Sequence, residues 1–458
     1  MTELPQAFLE RMRGELRDEF PAFAASYHEP RTFGLRLNPL KTGEGDARDI
    51  VERFGCRPVP WCPTGYYYEE SARPGKHPYH EAGLYYIQEP SAMIAAELLR
   101  PEPGEIVLDL AAAPGGKATQ IAGMLAGRGL LVANDIHPAR AKALAENLER
   151  WGAANCIVTS GPPAALAARF PECFDKIMLD APCSGEGMFR KDPDTIAEWS
   201  PEQVSACSAR QLDILEQAVP MLKPGGVLVY STCTFSREEN EQVIERLTER
   251  RPEMTCVKME RIWPHLHDGE GHFAAVLVKA DRDAGKQPFG RPRRPRESRT
   301  ASAGGGLREA YRLFRSFAQE TLPELALPEG EPLLFGDWLY WWPKPRTGDE
   351  REAAFHPAAL DGLKVLRPGL QLAQCKKGRV EPAHALALYA ETGKRHPVVR
   401  LAAEEPALQA FLRGEAIPAP ASAAGWVLVG VDDHPVGWGK AGGGWIKNHI
   451  PKGLRRPG

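Results

Sequence analysis

Short apolar runs alternate with longer helical patterns through the middle of the chain. The apolar runs predict buried strands at 106–110, 130–133, 156–159, 176–179, 226–230 and 273–278. Between them, helical periodicity covers 117–126, 138–151, 201–222 and 238–250. Strands that alternate with helices of this length form right-handed βαβ units. The pattern therefore predicts an α/β fold with a doubly wound, mostly parallel, Rossmann-like sheet.

The sequence on either side of this region has a different pattern of apolar and polar residues. Residues 1–75 combine a helical pattern with a strand-like run at 33–37, which predicts a small α+β domain. Residues 282–306 are rich in Pro, Arg, Gly and Ser and are typical of an exposed linker. Tryptophans and short strand-like runs predict a β-rich region over 307–458. We thus predict four parts: an accessory domain (1–75), a catalytic domain (76–281), a basic linker (282–306) and a C-terminal region (307–458).

Composition excludes several classes of protein. The chain has 458 residues, 43% of them hydrophobic and 26% charged, which is typical of a multidomain globular protein. No apolar run approaches the roughly 18 residues of a membrane helix, and the charged N-terminus lacks the apolar core of a signal peptide. The nine cysteines include no CxxC pair, which favours reduced thiols over disulfides or a zinc ribbon. We expect a soluble, cytoplasmic protein.

The net charge of −3 hides two basic patches. Residues 286–299 contain six Lys or Arg against one acid, and residues 437–458 contain five against none. Phosphate binding depends on such local patches rather than on the total charge. A solvated linker and a solvated tail would give the same pattern, so charge alone does not establish a nucleic-acid partner.

A turn of small residues follows the first predicted strand, at 109–117. Ligands bind beyond the carboxyl ends of parallel strands, and small side chains let them approach the backbone at a helix N-terminus. Alanines stand where a GxGxxG fingerprint or a P-loop requires glycine. Asp135, after the second strand, could bind a ribose diol or cap the next helix. Together they favour a nucleoside site, with a turn that binds no ligand as the alternative.

Two cysteines follow predicted neighbouring strands, where their side chains would face one crevice. Cys183 lies in the segment Asp180-Ala-Pro-Cys-Ser, and Cys233 lies in Ser-Thr-Cys-Thr. We interpret the other seven cysteines as small buried hydrophobes: Cys56, Cys62, Cys156, Cys173, Cys207, Cys256 and Cys375. Methyl transfer to carbon 5 of a pyrimidine needs such a set. A thiolate that adds at carbon 6 makes carbon 5 nucleophilic, and a carboxyl group at ring N3 stabilises the developing charge.

These segments resemble the Sun-type RNA (cytosine-5) methyltransferases, and most closely the 16S ribosomal RNA methyltransferase F branch. The similar segments are 86–93, 109–117, 180–192, 230–240 and 263–273, and the tail at 437–455 resembles a C-terminal extension that ends in a PUA-like RNA-binding module. The resemblance implies an S-adenosylmethionine methyltransferase sheet, with S-adenosyl-L-methionine as cofactor and RNA-binding terminal regions. It implies methylation of cytosine in 16S ribosomal RNA, either free or in the assembled 30S subunit. We expect a monomer with no membrane partner.

The resemblance also assigns site residues. It implies that Cys233 is the covalent nucleophile, that Cys183 releases the product, and that Asp180 touches the base and lies near the cofactor. The cofactor would contact Asp135 at its ribose and the loop residues Ala111, Ala112, Ala113, Pro114, Gly115, Gly116 and Lys117. Pro162 stands where the family usually has an acid beside adenine, which puts that contact in doubt. DNA cytosine-5 methyltransferases use the Pro-Cys cysteine, so the residues alone leave the choice between Cys183 and Cys233 open.

Other readings of the sequence remain. The same chemistry could act on transfer RNA, or the chain could be a non-catalytic RNA-binding factor for ribosome assembly. The loss of an acid at Pro162 favours an assembly factor, whereas the joint presence of Cys183, Cys233 and Asp180 favours an enzyme. Three histidines (His265, His267 and His272) could suggest zinc, but no thiol or further carboxylate has matching spacing, so we expect no metal.

Overall fold

The structure of the protein is a computed structural model that describes residues 4–281, 304–376, 378–389, 392 and 396–457. The predicted basic linker lies outside the described residues except for 304–306. Within the described ranges, no helix is long and apolar enough to cross a bilayer.

The N-terminal part is a small antiparallel sheet with short helices around it. Its helices are α1 (Gln6–Leu16), α2 (Phe20–Ser26), α3 (Glu44–Arg53) and α4 (Pro78–Glu81), and its strands are β1 (Gly34–Leu37), β2 (Arg57–Pro58), β3 (Gly65–Tyr67) and β4 (Tyr85–Ile87). The strand order is β2-β3-β1-β4, and each neighbouring pair is antiparallel. This is the predicted α+β architecture.

The middle of the chain supplies most of the large sheet and the helices that cover it. Its helices are α5 (Ile94–Leu99), α6 (Gly116–Met124), α7 (Pro138–Trp151), α8 (Pro163–Ala167), α9 (Asp194–Glu198), α10 (Pro201–Ala218) and α11 (Glu241–Arg250). Its strands are β5 (Ile106–Asp109), β6 (Leu130–Asn134), β7 (Cys156–Ser160), β8 (Phe174–Asp180), β9 (Leu222–Thr232), β10 (Met254–Ile262) and β11 (His272–Lys279).

The C-terminal region forms two further small sheets. Its helices are α12 (Gly304–Thr321), α13 (His384–Leu388) and α14 (Pro406–Arg413). Its strands are β12 (Gly330–Phe335), β13 (Trp338–Pro343), β14 (Lys364–Pro368), β15 (Leu370–Lys376), β16 (Arg379–Pro382), β17 (Val398–Leu401), β18 (Ile417–Pro418), β19 (Gly425–Val431), β20 (His434–Gly442) and β21 (Trp445–Asn448). The sheet orders are β12-β13-β15-β16 and β17-β19-β20-β21-β18.

The large sheet has the order β10-β11-β9-β8-β5-β6-β7-β14. The five strands from β9 to β7 are parallel, whereas β11 and β14 run antiparallel to the strands beside them. The predicted Rossmann-like sheet is therefore confirmed, and it contains two strands that the sequence did not predict, β10 and β14. β14 comes from the C-terminal region and covers β7, which would otherwise expose its unpaired backbone groups as an edge strand.

The middle residues of the parallel strands are largely apolar because both faces of the sheet are covered. In β5, Ile106 and Leu108 pack into the core on one face, whereas Val107 packs into the core on the other. The predicted helix 138–151 is confirmed as α7. The sequence analysis did not predict β10 because four of its nine residues are exposed, including Val257 and Met259, so it lacks a continuous buried apolar run.

The N-terminal helices pack against the segments that follow the two predicted catalytic cysteines. Phe8 on α1 makes an edge contact with Phe189, with ring centroids 5.2 Å apart, and Phe23 on α2 meets Phe235 at the same distance. Arg11 forms an ion pair of 2.7 Å with the buried Glu186. These contacts fix the loops after β8 and β9, so the N-terminal part supports the site.

Candidate active site

The two sulfurs of Cys183 and Cys233 meet at the carboxyl edge of the central sheet. Asp180 at the end of β8 pairs in register with Ser231 near the end of β9, so the two following turns lie side by side. The Sγ atoms are 3.3 Å apart, and both side chains are partly exposed. The structure thus brings together the two cysteines and the carboxylate that the sequence selected.

Asp180 lies in a cluster of hydrogen-bond donors beside the cysteines. Lys117 Nζ is 2.8 Å from Oδ2, and the Ser231 hydroxyl donates to Oδ1 at 2.8 Å. Burial opposes ionisation of Asp180, but Lys117 and Ser231 outweigh it and hold its pKa below the usual value. Asp180 is therefore a carboxylate at neutral pH.

His272 was considered at the sequence level only as a metal ligand, and the structure places it beside Asp180. Its Nε2 lies 3.9 Å from Asp180 Oδ1, and the ring is buried. Burial, with Lys117 nearby, lowers the pKa of His272 to about 3, so the imidazole is neutral. Sequence analysis missed this contact because it predicted the last strand but not its antiparallel direction, which brings the start of β11 to the site.

The environment of Cys183 keeps its thiol protonated. The pKa of Cys183 is well above the usual value because of its hydrogen bond with Cys233 and because of burial. A protonated Cys183 can donate its hydrogen to the sulfur of Cys233. The two thiols share this hydrogen bond, so the protonation state of one depends on that of the other.

The loop from Ala111 to Lys117 connects β5 to α6 and is held from both sides. Ala112 N–H donates to Asn134 O at 2.8 Å, and Arg140 on α7 donates to Ala113 O at 2.8 Å. Gly115 has φ +118°, and a Cβ there would lie 3.2 Å from Leu144. The loop therefore follows a fixed path that larger side chains would obstruct.

Asp135 does not cap α7. The N-cap residue is His137, and its backbone N–H donates to Asp135 Oδ1 at 2.9 Å. Arg140 lies 3.5 Å from the other carboxylate oxygen. Asp135 is thus fixed at the end of β6 beside the loop, where a ribose would be bound. Pro162 is exposed and precedes α8, so its side chain offers no polar group for adenine.

Asp109 supports the fit of the loop to the implied cofactor. It is fully buried at the start of the loop, and neither carboxylate oxygen has a hydrogen-bond partner within the described part of the protein. An unpaired buried polar group needs a partner, and a polar ligand would supply one. With the glycine turn, the N-terminus of α6 and Asp135, the residues present fit a nucleoside with a charged amino-acid tail.

Asp109 also predicts a pH dependence of stability. Burial, with Asp180 nearby, raises its pKa to about 8. Between the unfolded pKa of about 4 and pH 8 the folded chain binds the extra proton, so the unfolding free energy falls as pH rises through that window. In the absence of cofactor, the unfolding free energy should fall between pH 4 and pH 8 by roughly 2 to 5 kcal/mol more in the wild type than in the Asp109→Asn protein. Urea unfolding at each pH measures this, and identical slopes for the two proteins would contradict it.

In the described ranges no group of three or more His, Cys, Asp or Glu side chains could hold a metal ion. Two basic residues, Arg190 and Lys191, follow the Cys183 segment. Arg190 is bound inside the protein by Glu270 at 2.7 Å and by Ser26 O. Only Lys191 of the two is exposed.

Comparison with known proteins identifies the family. Four family models match successive segments: the N-terminal domain of 16S rRNA methyltransferase RsmF (4–90), 16S rRNA methyltransferase RsmB/F (96–278), the RsmF rRNA methyltransferase first C-terminal domain (316–389) and the methyltransferase RsmF PUA domain (398–456). The ribosomal RNA small subunit methyltransferase F of Shewanella amazonensis is 32% identical over 100% of this chain and 99% of its own. That of Salmonella paratyphi A is 33% identical over 99% and 97%.

Solved structures share the catalytic fold. A methyltransferase homolog protein from Pyrococcus horikoshii is 31% identical, with a TM-score of 0.54, over 60% of this chain and 95% of that chain. NSun6 from Pyrococcus horikoshii, with a TM-score of 0.55 and 23% identity over 61% and 99%, shows the fold alone. The chain is therefore a methyltransferase with S-adenosylmethionine as cofactor, and it belongs to the family of the ribosomal RNA small subunit methyltransferases F.

Proposed function

We propose that this protein methylates carbon 5 of cytosine in 16S ribosomal RNA through a covalent bond between Cys233 and carbon 6 of the base. The observation that carries the proposal is the 3.3 Å approach of the Cys183 and Cys233 sulfurs next to Asp180. Paired thiols beside an ionised carboxylate suit pyrimidine carbon-5 chemistry, which needs a nucleophile, a group that binds the ring and a group that helps to break the adduct.

Cys233 starts the reaction. Its thiolate adds to carbon 6 of the cytosine, and the electron pair of the C5–C6 double bond moves into the ring towards N3 and carbon 5. Asp135 and the loop from Ala111 to Lys117 would hold S-adenosylmethionine, which would supply an electrophilic methyl group. Carbon 5 is a poor nucleophile in free cytosine, so the Cys233 adduct is the step that makes the transfer possible.

Asp180 holds the base while charge develops in the ring. As a carboxylate it accepts hydrogen bonds from the exocyclic amine and from N3, once N3 has taken up through solvent the proton that the Cys233 thiol loses, and this stabilises the protonated ring of the adduct. Its own geometry is set by Lys117 and Ser231, which bind one oxygen each. The site therefore has its negative charge in place before the substrate arrives.

Cys183 acts after the transfer. A water molecule takes the proton on carbon 5, the electron pair of that C–H bond re-forms the C5–C6 double bond, and the pair of the C6–S bond leaves on the Cys233 sulfur. Cys183 is the nearest sulfur to that bond, at 3.3 Å from Cys233 Sγ. We assign it to this release step, in which its hydrogen bond stabilises the departing thiolate of Cys233.

The C-terminal module supplies an RNA-binding surface. Trp445, on the hairpin of β20 and β21, is 53% exposed, and the exposed Lys440 and Lys447 pair in register beside it. Lys440 also lies 5.1 Å from the ring of Trp426. Aromatic faces that alternate with cations bind unpaired bases and phosphates. Because Cys233 can reach only a base outside its stack, the substrate cytosine must be flipped or unpaired.

The proposal also covers the location of the protein, its oligomeric state, the form of its substrate and its domain boundaries. We place the protein in the cytoplasm, as a monomer, with free 16S ribosomal RNA or the assembled 30S subunit as its substrate. We retain the division of the chain after residues 75, 281 and 306 as a proposal. Transfer RNA remains the alternative substrate.

The test is methyl transfer to purified RNA. Unmethylated 16S ribosomal RNA, 30S subunits and transfer RNA are each incubated with the protein and methyl-labelled S-adenosylmethionine, and the product nucleosides are identified by mass spectrometry. We expect 5-methylcytosine in a ribosomal substrate. Label in transfer RNA alone would move the activity to the alternative substrate, label at another atom would refute the carbon-5 chemistry, and no label in any RNA would favour an assembly factor.

A further inference from the structure

Behind the two cysteines lies a buried polar network that the proposed chemistry does not use. It is built from Glu239 and Asn240, which immediately precede α11 and are both fully buried. Their side chains bind the two turns that carry the sulfurs. We name these turns the Cys183 loop (182–184) and the Cys233 loop (232–234).

Glu239 binds the Cys183 loop on the C-terminal side of the cysteine. Ser184 N–H donates to Glu239 Oε2 at 2.9 Å, and the Ser184 hydroxyl donates to Oε1. Gln211, on α10, donates both to Glu239 Oε2 and to Pro182 O, each at 2.9 Å. The residues on both sides of Cys183 are therefore fixed through one buried carboxyl group and one buried amide.

Asn240 binds the Cys233 loop in the same way. The Thr232 hydroxyl donates to Asn240 Oδ1 at 2.6 Å, and Asn240 Nδ2 donates to Thr234 O at 3.0 Å. Asn240 is also the N-cap residue of α11, where an asparagine side chain usually binds the first turn of the helix. Its side chain makes no capping hydrogen bond there. The amide is thus used for the Cys233 loop and not for the helix.

The two halves of the network meet between the loops. The Ser184 and Thr234 hydroxyls lie 3.0 Å apart. Glu239 and Asn240 are consecutive in the chain, so a planar peptide unit fixes the separation of the Cα atoms whose side chains hold the two loops. Buried hydrogen-bonded networks of this kind favour one geometry, because each unmade bond would leave a desolvated polar group.

We propose that Glu239 and Asn240 are positioning residues that set the approach of the two sulfurs, with Glu239 acting through Cys183 and Asn240 acting through Cys233. This inference rests on the proposed function for its catalytic consequence, although its geometric part does not. Glu239 then controls release of the methylated RNA, and Asn240 controls formation of the covalent adduct. A general structural role would weaken both steps together.

The geometric part is tested without RNA, by the alkylation rate of each thiol with iodoacetamide, resolved by peptide mass spectrometry. In Glu239→Ala we expect the rate at Cys183 to rise relative to Cys233 by about threefold or more, because a freed loop exposes its thiol. In Asn240→Ala we expect the opposite change in the ratio. Glu238→Ala is the matched control, since Glu238 is exposed and adjacent, and it should keep the wild-type ratio. Equal changes at both thiols in both variants would overturn the proposal.

The catalytic part compares the same variants with Cys183→Ala and Cys233→Ala. We expect Glu239→Ala to accumulate a denaturant-stable RNA adduct, as Cys183→Ala does, with at least about a tenfold lower release of methylated RNA. Asn240→Ala should lower adduct and methylation together by about tenfold or more. If Cys183→Ala does not accumulate the adduct, or if Cys233→Ala still forms it, the proposed function is wrong. If the cysteine variants behave as expected but the Glu239 and Asn240 variants do not, the positioning role is wrong. Glu239→Gln and Asn240→Asp retain side-chain size and decide the question if an alanine variant does not fold.

Discussion

The Cys233→Ser protein is expected to lose methyl transfer by at least about a thousandfold while it still binds RNA and cofactor. A serine hydroxyl has nearly the shape of the thiol, but at neutral pH it offers almost no anion to attack carbon 6. The network of Asn240 and Thr232 that holds the loop does not involve the sulfur, so the fold should survive. Initial rates with labelled cofactor measure the loss, and a filter-binding assay checks that RNA affinity is unchanged.

Cys183→Ser is the matched variant for this experiment. It should still form the bond between Cys233 and carbon 6 but release it slowly, so RNA remains attached to the protein through denaturing electrophoresis. The reverse outcome, with turnover in Cys233→Ser and none in Cys183→Ser, would give the attacking role to the Pro-Cys cysteine, as in the DNA enzymes. The assignment of the attacking role to Cys233 follows the resemblance to the RNA (cytosine-5) methyltransferases, since the hydrogen bond between the two sulfurs couples their protonation.

The part of this site that sequence could predict is the part that depends on parallel strands. Asp109, Asp135, Asp180 and Cys233 all lie at or just after the carboxyl ends of strands whose middle residues are largely apolar. In a doubly wound sheet, those ends meet at one edge whatever the details of the helices. The convergence of Cys183 and Cys233 therefore needed only the order of neighbouring strands and not the packing of individual side chains.

The features that sequence could not supply come from contacts between segments far apart in the chain. β14 pairs with β7 across about two hundred residues, and its own sequence does not distinguish it from other short strands of the C-terminal region. His272 approaches Asp180 because β11 is added in the antiparallel sense. The sequence placed Glu239 in the first turn of the predicted helix 238–250, and nothing in a single sequence shows that such an acid is fully buried.

Asp180→Asn is expected to lower kcat by about a hundredfold or more with little change in cofactor affinity. The amide has the shape of the carboxylate but lacks its charge, so it cannot stabilise a protonated ring. The side chain is 38% exposed and faces the site, so the substitution should leave the core intact. Rates at saturating RNA and calorimetric titration with cofactor separate the two effects. An asparagine protein that retains half of the wild-type kcat would show that the charge at this position is not used.

Lys117 explains why Asp180 is ionised, and its removal is expected to change the pH profile of activity. Burial alone would favour the neutral form of Asp180, and Lys117 is the foremost group that lowers its pKa. In the wild type, the carboxylate therefore persists to lower pH than an ordinary aspartate, and activity that depends on it is lost only as pH falls through this lowered value. In Lys117→Met the pKa rises, so the acidic limb of the kcat profile should move to higher pH by about one unit or more at saturating cofactor. An acidic limb that stays in place would mean that another group controls it. Asp180→Asn in the same background should abolish the shifted limb, because the group that titrates is then absent.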